Sequence, residues 1–214
     1  LPELTSMTLG SNLTALSENI GELKKLKFLD LSDNHLLSIP AGIGGMTALE
    51  HLILTNQSTY QNSEYIYLTS LPDEIGNLTS LKYLQLQGNE LESLPESIGN
   101  LSKLELLVLG AWSSRGATNY NVNGVSIYVR NGSNNLTALP SSIGNLGKLQ
   151  VLAAYNNQIE SLPNTIGGLD SLSALYLQGN SLTSLPDEIG NLSSLKDLNL
   201  QSNQLASLPD GIGN

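Results

Sequence analysis

The sequence LKYLQLQGNELESLPESIGNLSK, residues 81–103, contains the pattern that decides the fold. It follows the template L-x-x-L-x-L-x-x-N-x-L-x-x-L-P-x-x-I-G-x-L-x-x, and so do the segments that begin at Leu26, Leu149, Leu172 and Leu195. The last three of these starts are 23 residues apart, and the segment from Leu149 departs from the template only at its third leucine. A repeat of this length indicates one supersecondary unit stacked many times.

Eight units of this kind cover nearly the whole chain. The segments from Leu49 and Leu104 begin and finish on the template but contain extra residues, and the first unit has Ser17 in place of proline. The last unit breaks off at Asn214, and because stacked arrays usually need polar caps, we expect the sequence to be part of a longer protein. We predict one domain, 1–214, with repeats at 4–25, 26–48, 49–80, 81–103, 104–148, 149–171, 172–194 and 195–214.

The template residues have structural roles. The L-x-L step predicts a strand with one buried face, and an isoleucine in each unit fills the opposite side of the same core. The asparagine lies where the chain turns inward, so its amide can satisfy backbone groups that the bend leaves unpaired. The proline starts the outer segment because it interrupts both strand and helix. The columns are Ile20, Ile43, Ile75, Ile98, Ile143, Ile166, Ile189 and Ile212; Asn34, Asn89, Asn134, Asn157, Asn180 and Asn203; and Pro40, Pro72, Pro95, Pro140, Pro163, Pro186 and Pro209.

This pattern resembles the leucine-rich-repeat superfamily, and its P-x-x-I-G-x-L ending is most similar to the Ras-suppressor-type arrays and their bacterial relatives. The resemblance implies an α/β leucine-rich-repeat solenoid, a right-handed β-α superhelix with a parallel sheet on the concave face and loops or short helical turns outside. Eight repeats with two loop insertions are expected. The resemblance also implies that the concave face binds the ligand.

Composition limits the partners. The net charge is −10, and a chain without a basic face is poorly suited to nucleic acid or to anionic membranes. No stretch approaches the roughly 20 apolar residues of a membrane span, so we expect no membrane insertion. The chain has no cysteine, which excludes disulfides and thiolate metal sites.

The variable residues two and four places after the first leucine of each unit are predicted to face solvent on the concave side. In the middle of the array these positions are apolar and aromatic, and six strands about 4.8 Å apart would form a strip roughly 25 Å long. An exposed apolar strip of that length typically marks an interaction site. The candidate ligand-binding residues on it are Phe28, His51, Ile53, Tyr83, Leu106, Val108, Val151, Tyr155 and Tyr176.

Two insertions interrupt the template directly after a concave strand. About nine extra residues lie within 55–67 and about 22 within 110–131, so we expect both to rise from one edge of the sheet, roughly 10 Å apart. They contain five of the eight tyrosines, the single tryptophan and both arginines, the residue types most enriched at binding hot spots. Residues 120–127 predict a β-hairpin with an Asn-Gly turn. The candidates here are Trp112, Arg115, Tyr120, Tyr128 and Arg130.

The sequence is compatible with three placements of the insertions. They form a rim that helps to hold a ligand, or they fold down over Leu106, Val108 and Ile53 as part of the core. The two are compatible if one face of the hairpin packs and the other is presented. A flexible loop is the third alternative.

No catalytic, cofactor or metal site is predicted. His35 and His51 are too few and too far apart in the repeat to bind a metal, and no Ser–His–Asp set or phosphate-binding glycine loop is present. Acidic pairs such as Asp73 and Glu74 fall on the outer face, where we interpret them as solvated charges.

The sequence therefore predicts a non-catalytic recognition module that binds a protein, or alternatively a glycan, through the concave face and the two insertions. Only 13% of the residues are charged, which favours a secreted or cell-surface setting over the cytoplasm. The rival hypothesis is a targeting or autoinhibitory repeat segment of a larger signalling enzyme, such as a GTPase, a kinase or a ubiquitin ligase. Neither hypothesis specifies the ligand or the oligomeric state.

Overall fold

The structure is a computed structural model that describes residues 1–10, 12–61, 63–112 and 117–213. Its strands are β1 (Ser6–Thr8), β2 (Phe28–Asp30), β3 (His51–Ile53), β4 (Ser58–Gln61), β5 (Glu64–Tyr67), β6 (Tyr83–Gln85), β7 (Leu106–Gly110), β8 (Ala117–Val122), β9 (Val125–Arg130), β10 (Val151–Ala154), β11 (Ala174–Tyr176) and β12 (Asp197–Asn199). Short 3-10 turns occupy Glu18–Glu22, Ala41–Gly45, Asp73–Asn77, Glu96–Asn100, Ser141–Asn145, Asn164–Gly168, Asp187–Asn191 and Asp210–Gly213.

Eight of these strands form one parallel sheet, in the order β1-β2-β3-β6-β7-β10-β11-β12. The register places the same template position of each unit side by side, so that Phe28 pairs with His51 and His51 with Tyr83. The row continues through Leu106 and Val151. The register confirms that the residues two and four places after the first leucine of each unit form two aligned rows on the sheet, and the predicted solenoid with a parallel sheet on its concave face is confirmed.

The main core lies between the sheet and the outer turns. In the fourth unit Leu81, Leu84, Leu86 and Ile98 are fully buried, and the equivalent residues of the other units belong to the same apolar cluster. Each unit buries its apolar side chains against its neighbours and contributes too few to form a core alone. The rigid sheet that results fixes the positions of the concave side chains.

The asparagine amides satisfy backbone groups at the inward turns, as predicted, and they also link neighbouring units into a ladder, which was not predicted. The Asn89 side chain is buried, and its Oδ1 accepts a hydrogen bond from the Gln57 backbone N–H at 2.8 Å. Its Nδ2 donates to the carbonyl oxygens of Leu54 at 2.7 Å and Leu86 at 2.8 Å. Five further asparagines bridge two units in the same way: Asn34, Asn134, Asn157, Asn180 and Asn203.

Gln57 occupies the asparagine position in the third unit, which the sequence analysis did not assign. Its side chain is fully buried, and its Nε2 donates to the carbonyl oxygen of Leu31 at 2.6 Å. Its Oε1 accepts from the Leu36 N–H at 3.3 Å. Glutamine has the same amide as asparagine, so one extra methylene is accommodated and the ladder stays continuous.

The outer segments are single 3-10 turns and not α-helices. Most of them begin after a proline in extended conformation, such as Pro95 at φ −67° and ψ 147°, and bury the template isoleucine. In the first unit Ser17 replaces the proline, and its hydroxyl accepts from the Asn19 N–H instead. Five residues are too few for a stable α-helical segment, and 3-10 geometry is the common solution for such short connections.

Candidate functional site

The long insertion is a β-hairpin that extends further than the sequence predicted. Strands β8 and β9 pair antiparallel from Ala117–Arg130 to Val122–Val125. Asn123 and Gly124 form the turn, with φ values of 50° and 80°. Two successive positive φ angles define a type I′ turn, the turn that Asn-Gly favours in two-residue hairpins.

One face of this hairpin packs on the concave sheet. Side chains alternate along β8 and β9, so that Tyr120, Val122, Ile127 and Val129 point to the same side and are buried. Together with the sheet residues beneath them they form an apolar cluster separate from the main core. The sheet contributes Leu106, Val108, Val151, Ala153, Tyr155 and Ala174 to this cluster.

The predicted continuous apolar strip is therefore wrong in its middle. Leu106 and Val108 are fully buried, and Val151 and Tyr155 are 4% and 7% exposed. The hairpin covers these four side chains, and Tyr120, which is 6% exposed, is part of the cover. Apolar residues at these positions form a second core inside the chain and are not open to a ligand while the hairpin is in place.

Polar contacts hold the hairpin at both ends. At its tip the Asn123 Nδ2 donates to the Glu105 Oε2 at 2.9 Å, next to the start of β7. At its base the Arg130 guanidinium forms an ion pair with Asp33. Both partners of that pair are about half exposed, so it contributes at most about 1 kcal/mol. The hairpin thus lies along β7, from the end of that strand back to its beginning.

Glycines allow the close approach at the hairpin base. A Cβ atom on Gly110 would lie 2.0 Å from the carbonyl oxygen of Tyr155. At that point the register between β7 and β10 shifts, with Ala154 opposite Gly110. Any side chain here would push the two strands apart.

The outer edge of β9 borders a groove over the N-terminal half of the sheet, which we call the N-terminal groove. Its floor consists of Asp30, Ser32, Ile53, Thr55, Gln85 and Gln87, from β2, β3, β6 and the residues that follow them. Tyr128 and Arg130 of β9 form the wall. The cavity that these residues line has a volume of about 130 Å³.

An aromatic row continues this surface towards the start of the strands. The rings of Phe28 and His51 meet edge to face with centroids 5.0 Å apart, and those of His51 and Tyr83 are 5.3 Å apart. The Gln85 Nε2 lies 3.1 Å from the His51 Nε2. Burial lowers the pKa of His51 to about 4, although the nearby Asp30 carboxylate opposes this shift. The imidazole is therefore neutral at physiological pH.

Charged residues follow the aromatic row at the edge of the sheet. Glu50 forms ion pairs with Lys82 at 2.7 Å and Lys27 at 3.2 Å, and hydrogen bonds from these lysines lower the pKa of its carboxyl group. Tyr83 donates to Glu105 at 3.5 Å, and burial raises the pKa of the Tyr83 phenol. Glu105 thus contacts both the aromatic row and the tip of the hairpin.

A second open surface lies on the other side of the hairpin. Tyr176 is partly exposed, stacks on Tyr155 with centroids 5.4 Å apart and donates to Asp197 at 2.7 Å. Trp112 is 57% exposed beside a depression of about 290 Å³ that Asn156, Gln178, Gly179, Gln201 and Ser202 complete. We call it the C-terminal depression. Arg115, also predicted as a contact, lies outside the described residues.

The short insertion is also a hairpin, but it leaves the repeat at a different point. Strands β4 and β5 follow Gln57, after the inward turn, whereas β8 precedes the equivalent Asn134. The His35 imidazole hydrogen-bonds the Ser58 carbonyl oxygen. The hairpin borders a depression lined by Thr14, His35, Leu37, Thr59, Tyr60 and Gln61. The residues that line this depression lie outside the concave strands and differ from those that line the N-terminal groove.

Among the residues described, no three His, Asp or Glu side chains lie close enough together to hold a metal ion. In the same part of the chain no helix is long and apolar enough to cross a membrane.

Family models match most of the array. A model described as leucine-rich repeat region matches residues 128–213, and one described as leucine-rich repeat matches 25–46 and 80–101. The curated relative lumican, from Rattus norvegicus, is 40% identical over 78 residues. The chain belongs to the leucine-rich-repeat superfamily. The matched part is 36% of this chain but only 20% of lumican, so this leucine-rich-repeat chain spans a small part of that relative.

Solved leucine-rich-repeat structures share the fold over the whole chain. The plant peptide hormone receptor RGFR1, in complex with RGF2, has a TM-score of 0.72 at 28% identity, over 100% of this chain and 35% of the receptor. The ectodomain of the membrane receptor kinase GASSHO1/SCHENGEN3 from Arabidopsis thaliana, in complex with CASPARIAN STRIP INTEGRITY FACTOR 2, has a TM-score of 0.65 at 27% identity. This match covers 100% of the present chain and 26% of that chain.

Sequence reasoning did not select the polar floor of the N-terminal groove. The template places Asp30 and Gln85 four residues after the first leucine of their units, level with Ile53, and Gln87 comes two residues after Gln85. Whether these residues lie close to Tyr128 and Arg130 depends on the position of the long hairpin. The sequence does contain a signal for the polar floor. At the position four residues after the first leucine, the apolar Ile53 is followed by Gln85 in the next unit and then by the apolar Val108.

Proposed function

We propose that this chain is a non-catalytic recognition module that binds a protein ligand, as an extended peptide segment, in the N-terminal groove. The observation that carries the proposal is the division of the concave face by the long hairpin. The hairpin buries the apolar middle and leaves a groove that combines aromatic, aliphatic and polar side chains. Ligand sites typically have this mixture of apolar walls and a few placed polar groups.

The structural relatives support a ligand of this class. Both receptor structures contain a bound partner, which is RGF2 in one and CASPARIAN STRIP INTEGRITY FACTOR 2 in the other. The present chain spans about a third or less of those receptors, so the identity of their partners is not transferred. The feature that this chain shares with them is the leucine-rich-repeat fold, and in this chain the sheet of short parallel strands presents a regular row of side chains.

We further propose that the chain acts outside the cell or at its surface, since one relative is the ectodomain of a membrane receptor kinase. Because that relative is a receptor kinase, the alternative proposal is that this chain is a targeting or autoinhibitory repeat segment of a larger signalling enzyme. In either case the recognition site proposed here lies on the concave face.

The proposal is tested by selecting binders from a random heptapeptide library displayed on mRNA. The affinity of the selected peptides is then measured for the wild type and for Ile53→Arg, which places a long charged side chain in the groove floor. Thr79→Arg makes the same kind of change at an exposed residue next to the Asp73–Asn77 outer turn. Gln201→Arg makes it in the C-terminal depression.

We expect Ile53→Arg to weaken the selected peptides at least tenfold and the two other variants to leave them within about twofold. Loss of binding with Gln201→Arg alone would place the site in the C-terminal depression and contradict the proposal. Failure of the library to yield any binder, together with specific binding to a glycan array, would favour the glycan alternative.

A further inference from the structure

The outer edge of β9 presents unpaired backbone groups. In a two-residue I′ hairpin the residues that flank the turn, here Val122 and Val125, exchange backbone hydrogen bonds, and bonded and non-bonded pairs then alternate. The N–H and C=O groups of Ser126, Tyr128 and Arg130 therefore point away from β8. Among the described residues, none of the backbone hydrogen bonds outside the regular ladders involves these three.

This edge faces the N-terminal groove. Tyr128 and Arg130 lie against the same cavity as Ile53 and Gln85 of the sheet floor. An unprotected strand edge is normally avoided in soluble proteins because it pairs with other chains. Here the edge forms one wall of a groove whose floor is the sheet, so an extended chain that lies between wall and floor would contact both.

The groove floor contains two side chains that can accept a hydrogen bond from a ligand, Asp30 and Gln87. The Asp30 carboxylate accepts from the Ser32 N–H at 2.9 Å, and no lysine or arginine among the described residues lies within ion-pair distance of it. Gln87 is 1% exposed, and its Oε1 has no hydrogen-bond partner in the described part of the chain. A buried acceptor without a donor is unfavourable, so a ligand group that donates a hydrogen bond here would be favoured.

The size and charge of the cavity limit the donor. Its volume of about 130 Å³ is below the roughly 300 Å³ at which small-molecule pockets begin, which suits one side chain of a ligand. The carboxylate favours a cation, and the chain as a whole has a net charge of −10. Arg130 is occupied by its ion pair with Asp33 at the rim.

We propose that the ligand adds to the outer edge of β9 as a third strand, and that one lysine or arginine side chain of this strand reaches Asp30 and Gln87. The inference rests on the proposed function and specifies it: an extended, cationic peptide segment held by main-chain hydrogen bonds. Strand addition of this kind takes affinity from the backbone and specificity from the pockets beneath alternate side chains.

The contribution of the β9 backbone to peptide binding is tested with substitutions at Tyr128 and Asn119, which lie opposite each other in the long hairpin. Tyr128→Pro removes an N–H from the β9 edge, Tyr128→Ala keeps that N–H while removing the ring, and Asn119→Pro removes an N–H from the other edge of the hairpin. The probes are library peptides that Ile53→Arg weakens. We expect Tyr128→Pro to weaken them at least tenfold relative to Tyr128→Ala, and Asn119→Pro to change them less than twofold.

Amide hydrogen exchange on the wild type gives an answer that does not depend on whether the proline variant folds. Bound peptide should slow the exchange of the Ser126, Tyr128 and Arg130 amides at least tenfold and leave Asn119 and Asn121 unchanged. If groove-dependent peptides bind while these three amides exchange as in the free protein, strand addition is refuted and the proposed function stands. If no peptide shows groove-dependent binding, both fail.

The side-chain contribution is tested by a double-mutant cycle. We expect the selected peptides to share a lysine or arginine at one position, and Asp30→Asn to weaken them about tenfold. Replacing that basic residue by glutamine should remove most of the effect of Asp30→Asn. A consensus without a basic position, or equal effects of Asp30→Asn on both peptides, would overturn the assignment of the cavity to a cation.

Discussion

The docking of the long hairpin on the concave face makes a quantitative prediction for Val129→Ala. Val129 is fully buried between the hairpin and the sheet. Truncation removes two methyl groups, each worth about 0.8 kcal/mol of burial, and leaves a small cavity, so we expect a loss of about 2 kcal/mol. Val125 of the same strand is 48% exposed, which makes Val125→Ala a control with identical chemistry and a loss of about 0.5 kcal/mol.

Native-state hydrogen exchange measures where that energy is lost. If the hairpin opens as a local unit, Val129→Ala should accelerate exchange of the cross-strand amides of Tyr120 and Ile127 roughly 30-fold, because each 1.4 kcal/mol is a factor of ten. Amides of the main sheet, such as that of Leu84, should change little. Equal exchange rates in Val129→Ala and Val125→Ala would refute the idea that the inner face of the hairpin is packed on the sheet.

Three further predictions concern the scaffold. Asn89→Ala breaks three buried hydrogen bonds and should lower the free energy of unfolding in urea by about 3 kcal/mol. Asn203→Ala breaks equivalent bonds in a partly exposed unit, where water replaces them, and should lower it by about 1 kcal/mol. Equal losses in the two variants would contradict this reasoning. Because the folded pKa of His51 is about 4, below its unfolded value near 6.5, the unfolded state binds more protons between these values. The stability of the wild type relative to His51→Phe should therefore fall by up to about 3 kcal/mol from pH 7 to pH 4, and a pH-independent difference would contradict it. Gly110→Ala would place a Cβ 2.0 Å from a backbone oxygen and should cost about 2 kcal/mol or more, and an unchanged melting temperature would refute the close approach.

Much of the fold follows from the template letters alone. Leucine and isoleucine at fixed positions of a 23-residue unit leave one way to bury them, and the register of the strands follows from the stacking of equal units. The role of the asparagine amides was predicted because a tight inward turn leaves backbone groups without partners, although the bonds that they form between neighbouring units were not. Gln57 was missed because an insertion directly after it obscures the template, although its amide performs the same task.

The position of the long hairpin could not be predicted with the same certainty. Alternation in Tyr120, Val122, Ile127 and Val129 shows that the hairpin has an apolar face, but not which surface covers it. That choice depends on contacts between residues far apart in sequence, which a local pattern does not encode. The sequence analysis therefore left open whether the apolar concave residues bind a ligand or lie under the insertions. Leu106 and Val108 lie under the long hairpin as half of a small core, whereas Ile53 does not belong to that core.

The central claim is that the long hairpin lies across the concave face and divides it into two surfaces. The most direct test is the nuclear Overhauser effect between the ring protons of Tyr120, on the hairpin, and Tyr176, on β11, whose ring centroids are 5.9 Å apart. The account predicts clear cross-peaks between these two rings in the ligand-free protein. Their absence from a well-resolved, fully assigned spectrum would mean that the hairpin does not cover the sheet, and the division into two binding surfaces would be wrong.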